Sequence, residues 1–195
     1  MTIRAHSKAL TAQFETEALP HLPALYNFAV ALDGRAAAED LVQTACVRAL
    51  EGFASYQRGT NIRAWLFTIL RHEWISRARR ARFRATREVC TEHEILTEFE
   101  DPAVDLEAGL MDRRWSAEIR AALLALPEAY RVPVYLKDVE GFAYRELAAI
   151  IGCPLGTVMS RLARGRAALR AALADQARER GLLPAKANAD ANNGL

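Results

Sequence analysis

The side chains best placed to do chemistry lie between Gly156 and Arg170. Thr157, Ser160, Arg161, Arg164, Arg166 and Arg170 recur there among apolar residues, and no acid occurs before Asp175. Arginine presents a planar, permanently charged fork suited to bidentate contacts with phosphate or with guanine O6/N7. Val158, Leu162, Leu169 and Leu173 fall at helical spacing and form the buried stripe of the same segment. One helix would thus be apolar inside and Arg-rich outside. On spacing alone that face suits either DNA or plain solvent.

Covalent and metal chemistry find less support. The three cysteines, Cys46, Cys90 and Cys153, are far apart, which suits a reducing cytosol rather than a disulfide framework. Cys46 falls on an apolar helical stripe and reads as a small buried hydrophobe with no base beside it. Cys90 and His93 make a lone C-x-x-H pair with no second pair nearby, so no metal site is expected. No nucleophile elbow or phosphate-binding Gly loop occurs, so the expectation is a protein that is not an enzyme and needs no cofactor. No apolar run reaches transmembrane length and no signal-peptide pattern opens the chain, giving the expectation of a cytoplasmic protein without membrane insertion.

The net charge of +2 conceals a strong separation of charge. Seven arginines and one acid, Glu73, lie between Arg71 and Arg87, whereas eight acids and no Lys or Arg lie between Glu88 and Glu107. Such a chain shows a basic surface to an anion while remaining nearly neutral overall.

The elements that must position these groups are helical. Residues are 51% hydrophobic but only 8% aromatic, and Ala, Leu, Arg and Glu dominate. The pattern predicts an all-α fold of two small domains joined by a linker, the second containing a helix-turn-helix. A first helix is predicted from about Thr11 to Leu32, interrupted by Pro20 and Pro23. A second runs from Arg35 to Phe53 with Leu41, Val42, Ala45, Cys46, Ala49 and Phe53 on one face. After a loop from Ser55 to Asn61, a third runs from Ile62 to about Arg87. Residues 88–112 form the acidic linker, 113–181 the second domain, and 182–195 an expected disordered tail. In the second domain, Ala148, Gly152 and Val158 have the spacing of a helix-turn-helix: a small residue for close approach, a left-handed turn, then the first buried residue of the next helix.

These segments resemble the extracytoplasmic-function (ECF) sigma factors of the sigma-70 family. The series Leu126-Pro127-Glu128, Tyr144-Arg145-Glu146-Leu147-Ala148, Pro154 to Leu162 and Arg164-Gly165-Arg166 is similar to region 4. Ala38 to Gln43 resembles region 2.2, and Gly59 to Arg71 resembles regions 2.3 and 2.4. The resemblance implies partners: core RNA polymerase (β′ clamp helices and β flap), double- and single-stranded promoter DNA, and an anti-sigma factor. It implies that Thr157, Ser160, Arg161, Arg164 and Arg166 face −35 DNA. It implies that Tyr56, Gln57, Arg58, Gly59, Ile69, His72, Ser76 and Arg77 hold −10 DNA around a flipped base, and that Glu39, Asp40 and Gln43 bind the polymerase. Residues 1–87 would then be region 2, and the acidic linker would occupy the polymerase path of nascent RNA. For Trp65, core packing is the preferred reading. Three positions depart from the pattern. Thr44 stands where many relatives have a second acid, His72 replaces a frequent Asn, and Met159 stands where some relatives carry Arg. The alternative function is a dimeric helix-turn-helix regulator acting without polymerase; nothing in the first domain's sequence suggests a ligand pocket or dimer seam.

Replacing Asp40 and Gln43 together with Ala is expected to weaken association with core polymerase about ten-fold or more, the equivalent of one charged and one neutral hydrogen bond. Fluorescence anisotropy against purified core enzyme measures it, and unchanged affinity removes both residues from that interface.

Overall fold

The protein, described here as a computed structural model covering residues 2–88, 117–179 and 181, is helical with no strand among the described residues. The first body comprises α1 (Thr2–Ala18), α2 (Leu22–Asp33), α3 (Arg35–Gly52) and α4 (Ile62–Glu88). The second comprises α5 (Ala117–Leu124), α6 (Glu128–Val134), α7 (Tyr144–Ile151) and α8 (Leu155–Glu179). The expected acidic linker, Cys90, His93 and the expected disordered tail lie outside the described residues.

Turn chemistry sets the breaks. A 3₁₀ turn at Leu19–His21 contains Pro20, and Pro23 sits in the first turn of α2, where its missing N–H is harmless. The first helix begins nine residues earlier than the apolar stripe predicts, at Thr2 rather than Thr11. Gly34 takes φ 76° and ψ 171°, closing α2 through its N–H to the Val30 carbonyl (3.0 Å) and opening α3. Only glycine visits that region cheaply.

The first body packs α2, α3 and α4 around Leu25, Phe28, Leu41, Ala45, Leu66, Phe67 and Leu70, all buried. In the second, Leu123, Val134, Leu136, Leu147, Ile150, Val158 and Leu162 are buried. Pro133 lies buried inside α6, and the chain then widens into a single π turn at Tyr135–Val139. Two aromatic residues from each body meet. Phe28 stacks on Phe67 (centroids 5.1 Å) and on Tyr135 (5.4 Å), and Phe142 meets the Phe67 edge at 5.0 Å. Such pairs add about 0.5–1.5 kcal/mol each beyond the area they bury. The two helical bodies therefore share a continuous apolar core rather than standing apart.

Gly165 explains how α6 and α8 come together. A Cβ there would stand 2.7 Å from Val134 Cγ2 and 3.1 Å from the Tyr130 carbonyl oxygen. Alanine is favoured over glycine in a helix by about 0.5–1 kcal/mol, but forcing atoms into a packed contact costs about 1–3 kcal/mol. The clash wins. Gly165→Ala is expected to lower the thermal midpoint by several degrees in calorimetry; an unchanged or higher midpoint would show that α6 gives way freely.

Candidate nucleic-acid and polymerase interface

The turn between α7 and α8 is built by three residues. Glu146 accepts the Ala143 N–H (2.7 Å) at the start of α7. Gly152 ends α7 in the left-handed conformation, φ 67°, donating to the Ala148 carbonyl (2.9 Å). The Pro154 carbonyl then accepts from Thr157 (2.9 Å) and Val158 (3.1 Å) at the start of α8. The two helices are bent 98° from one another. That is helix-turn-helix geometry, in which the second helix projects its N-terminal half outward.

Of the sequence-predicted residues on α8, Ser160 and Arg164 are exposed, and so is Arg170. The Ser160 hydroxyl donates to the Thr157 carbonyl (3.0 Å). Thr157 and Arg161 are half-buried. Arg166 differs from its neighbours: Nε and Nη2 grip both oxygens of Asp138 at 2.9 and 2.5 Å. This pair holds α8 to the π turn, and the carboxylate raises the Arg166 pKa, its hydrogen bond being the largest cause. No local sequence signal links Asp138 to Arg166, 28 residues on.

The predicted −10 residues fall in two groups. Tyr56 stacks with Phe53 (5.9 Å, 9° between planes) and leans on Trp65 (4.9 Å), and its hydroxyl donates to the Thr60 carbonyl (2.6 Å). Trp65 is therefore a packing residue, as read from sequence, and Tyr56 shapes its own loop. Gln57 receives the Thr60 N–H (3.3 Å) and hydroxyl (2.7 Å) on its carbonyl, Arg58 reaches Gln13 (2.6 Å), and Gly59 turns the chain at φ 86°. On α4, Ile69 is half-buried while His72 and Ser76 are exposed along one face. Arg77 is ion-paired with Asp40 and lies 3.4 Å from the Thr44 hydroxyl. A residue expected at the polymerase and one expected at −10 DNA thus touch each other.

Glu39, Asp40 and Gln43 are exposed on α3. Glu39 and Gln43 also rim an almost wholly apolar depression of about 370 Å³, lined by Phe14, Leu22, Val42 and Cys46. The sequence reading found no pocket in this body, because its walls come from four separate helices. Burial pushes the Cys46 thiol up, away from thiolate chemistry. Among the described residues no cluster of ligating side chains could hold a metal, and no single helix is long and apolar enough to cross a membrane.

Polar ties across the two bodies were not visible in the sequence. Arg63 pairs with Glu140, donates to its carbonyl oxygen (2.8 Å) and lies over the Phe142 ring (4.5 Å). Asn61, at the end of the Tyr56 loop, donates to Glu146 (2.6 Å). Arg71 reaches the Ile150 carbonyl (3.4 Å), and burial lowers its pKa. Tyr135, buried beside Glu140, is held neutral by burial first and then by that carboxylate. Partial burial lowers the His21 pKa, with Arg63 as a second cause.

Comparison with known proteins agrees with this geometry. The family model for Sigma-70 region 2 matches residues 19–84, and that for Sigma-70, region 4 matches residues 116–169. The chain is 39% identical to the ECF RNA polymerase sigma factor EcfG of Rhodopseudomonas palustris, over 84% of this chain and 87% of that one. It is 38% identical to the ECF RNA polymerase sigma factor SigE of Mycolicibacterium smegmatis, over 82% of this chain and 61% of that one. Among solved structures it is similar to the sigma factor RpoE of Bartonella quintana, crystallised with the anti-sigma factor NepR. That match has a TM-score of 0.66 at 35% identity and covers 83% of this chain and 97% of the other. A region 2 match in the first body disfavours a regulator that works without polymerase. With both regions present in order, and a 39% identical relative matched along most of both chains, this protein belongs to the ECF family of RNA polymerase sigma factors.

Proposed function

We propose that this sigma factor carries core RNA polymerase to promoters by reading −35 duplex with α8 and holding a flipped −10 base at the first body. The observation that carries the reading is the outer face of α8. Ser160, Arg164 and Arg170 are exposed on a helix with no acid before Asp175, mounted on a helix-turn-helix. A basic outer face in the major groove gains both phosphate and guanine contacts. The polymerase does the chemistry; the sigma factor supplies position. Tyr56, Gln57, Arg58 and Gly59 form the loop of the −10 pocket, with Ile69, His72 and Ser76 as its helical wall. An unstacked base needs such a hydrogen-bonding, partly apolar seat. Glu39, Asp40 and Gln43 face the polymerase, with the apolar depression beside them as a desolvating contact. Arg166, committed to Asp138, positions α8 rather than reading bases.

The ties between the two bodies bear on control. While Asn61 is held by Glu146 and Arg63 by Glu140, the Tyr56 loop and the helix-turn-helix cannot reach separated promoter elements. Core binding therefore requires these ties to part, and an anti-sigma protein of the kind bound to the Bartonella relative acts by favouring the unproductive arrangement.

Run-off transcription with purified core enzyme on genomic fragments tests the reading, with specific initiation as the expected result. At a mapped promoter, Arg164→Ala or Arg161→Ala is expected to cost about 1–3 kcal/mol of promoter binding and to relax −35 discrimination if a bidentate base contact is lost. Equal activity of both variants across −35 substitutions would refute the assignment. Glu140→Ala removes a charge-assisted hydrogen bond worth about 1.5–3 kcal/mol. It is expected to enlarge the radius of gyration in small-angle scattering and to speed core binding; identical scattering and binding would show that the Arg63–Glu140 pair is dispensable for holding the bodies together.

A further inference from the structure

One row of α8 is left unexplained by guanine and phosphate contacts. Leu155, Met159 and Ala163 are spaced four residues apart, so they form a single ridge along the helix. All three are exposed, Leu155 by 42% and Met159 by 54%, and the first body does not cover them. The ridge runs beside the polar row of Gly156, Ser160 and Arg164. Met159 is thus the largest apolar side chain on the outward face of the N-terminal half of α8, the half that enters a major groove.

Gly156 adds a second observation. It is helical and lacks a positive φ, and a Cβ at that position would meet nothing within 4 Å. No contact among the described residues calls for glycine there. A bare backbone at the second residue of α8 suits close approach by another molecule. The charge of this surface selects which one. Arg164 and Arg170 are exposed with the ridge, and no acid occurs on the helix before Asp175, so a polyanion is favoured over a neutral or basic protein groove.

We propose that Met159 reads the 5-methyl group of a thymine in the −35 duplex, beside the base pair contacted by Arg164. The proposal rests on the −35 assignment above. The thymine methyl is the one apolar feature of the major-groove edge, and it distinguishes T·A from C·G where no hydrogen bond is made. An unbranched thioether fits against it without demanding one rotamer. Leu155, one turn earlier, shields the same contact from water.

The test uses the full chain in complex with core polymerase on a promoter it transcribes. Each −35 thymine is replaced in turn by deoxyuracil, which removes the methyl and nothing else. At one position wild type is expected to lose about four-fold in promoter affinity, the equivalent of burying one methyl group. Met159→Ala is expected to bind thymine and uracil equally at that position, and Met159→Leu to restore the preference. The exposure of Met159 makes a folding defect improbable as a cause, and an unchanged thermal midpoint of Met159→Ala checks it. A flat uracil scan, or a methyl effect that survives in Met159→Ala, overturns the proposal. Arg164→Ala run in parallel separates the two layers. If it still weakens −35 binding while the uracil scan is flat, only the Met159 role falls; if it has no effect, the −35 assignment itself falls.

Discussion

The aromatic contact between the two helical bodies governs the rest of the arrangement. Phe28 and Phe67 offer apolar rings from α2 and α4, Tyr135 closes on Phe28 from the start of the π turn, and Phe142 closes on Phe67 from three residues beyond its end. All four rings are buried. Everything polar at the boundary follows from their placement. Arg63 can cross to Glu140 because Phe142 supplies a ring for its guanidinium to lie on, and Asn61 reaches Glu146 because the rings fix the distance between the Tyr56 loop and α7. The strength of this boundary decides how readily the two bodies can part.

The region that holds this boundary is conformationally unusual. Pro133 cannot donate to its helix, and the chain widens into a π turn immediately after it. Insertions of this type recur at functional positions in helices. Here the widened turn places Tyr135 inward and Asp138 outward. The first joins the interbody stack and the second holds Arg166. One short irregular segment thereby sets the position of α8 and its attachment to the first body.

Much of this architecture is legible in the sequence where the signal is local. Periodicity locates α3, α4 and the start of α8 to within a residue or two, and Gly34, Gly152 and Pro154 mark the breaks through backbone conformations that few other residues accept. The outward face of α8 is also legible, since burial of Val158 and Leu162 leaves Ser160 and Arg164 outside. What escapes is whatever depends on distance in three dimensions. Phe67 shares a face of α4 with Leu66 and Leu70, but its ring partners Phe28 and Phe142 are remote in sequence. Arg166 reads as one more basic residue until Asp138 is seen beside it. Glu140 and Glu146 look like ordinary surface acids, and their partners lie 77 and 85 residues away. The depression beside Gln43 is hidden for the same reason.

The two oxygens of Glu146 have separate duties. Oε2 accepts the Ala143 N–H that starts α7, and Oε1 accepts from Asn61 of the other body. Withdrawal of Asn61 leaves the first bond untouched and returns the second oxygen to water, so α7 loses a tether without unwinding. Separation can then proceed as rigid bodies swinging apart, and the same carboxylate is ready to recapture the loop when they return.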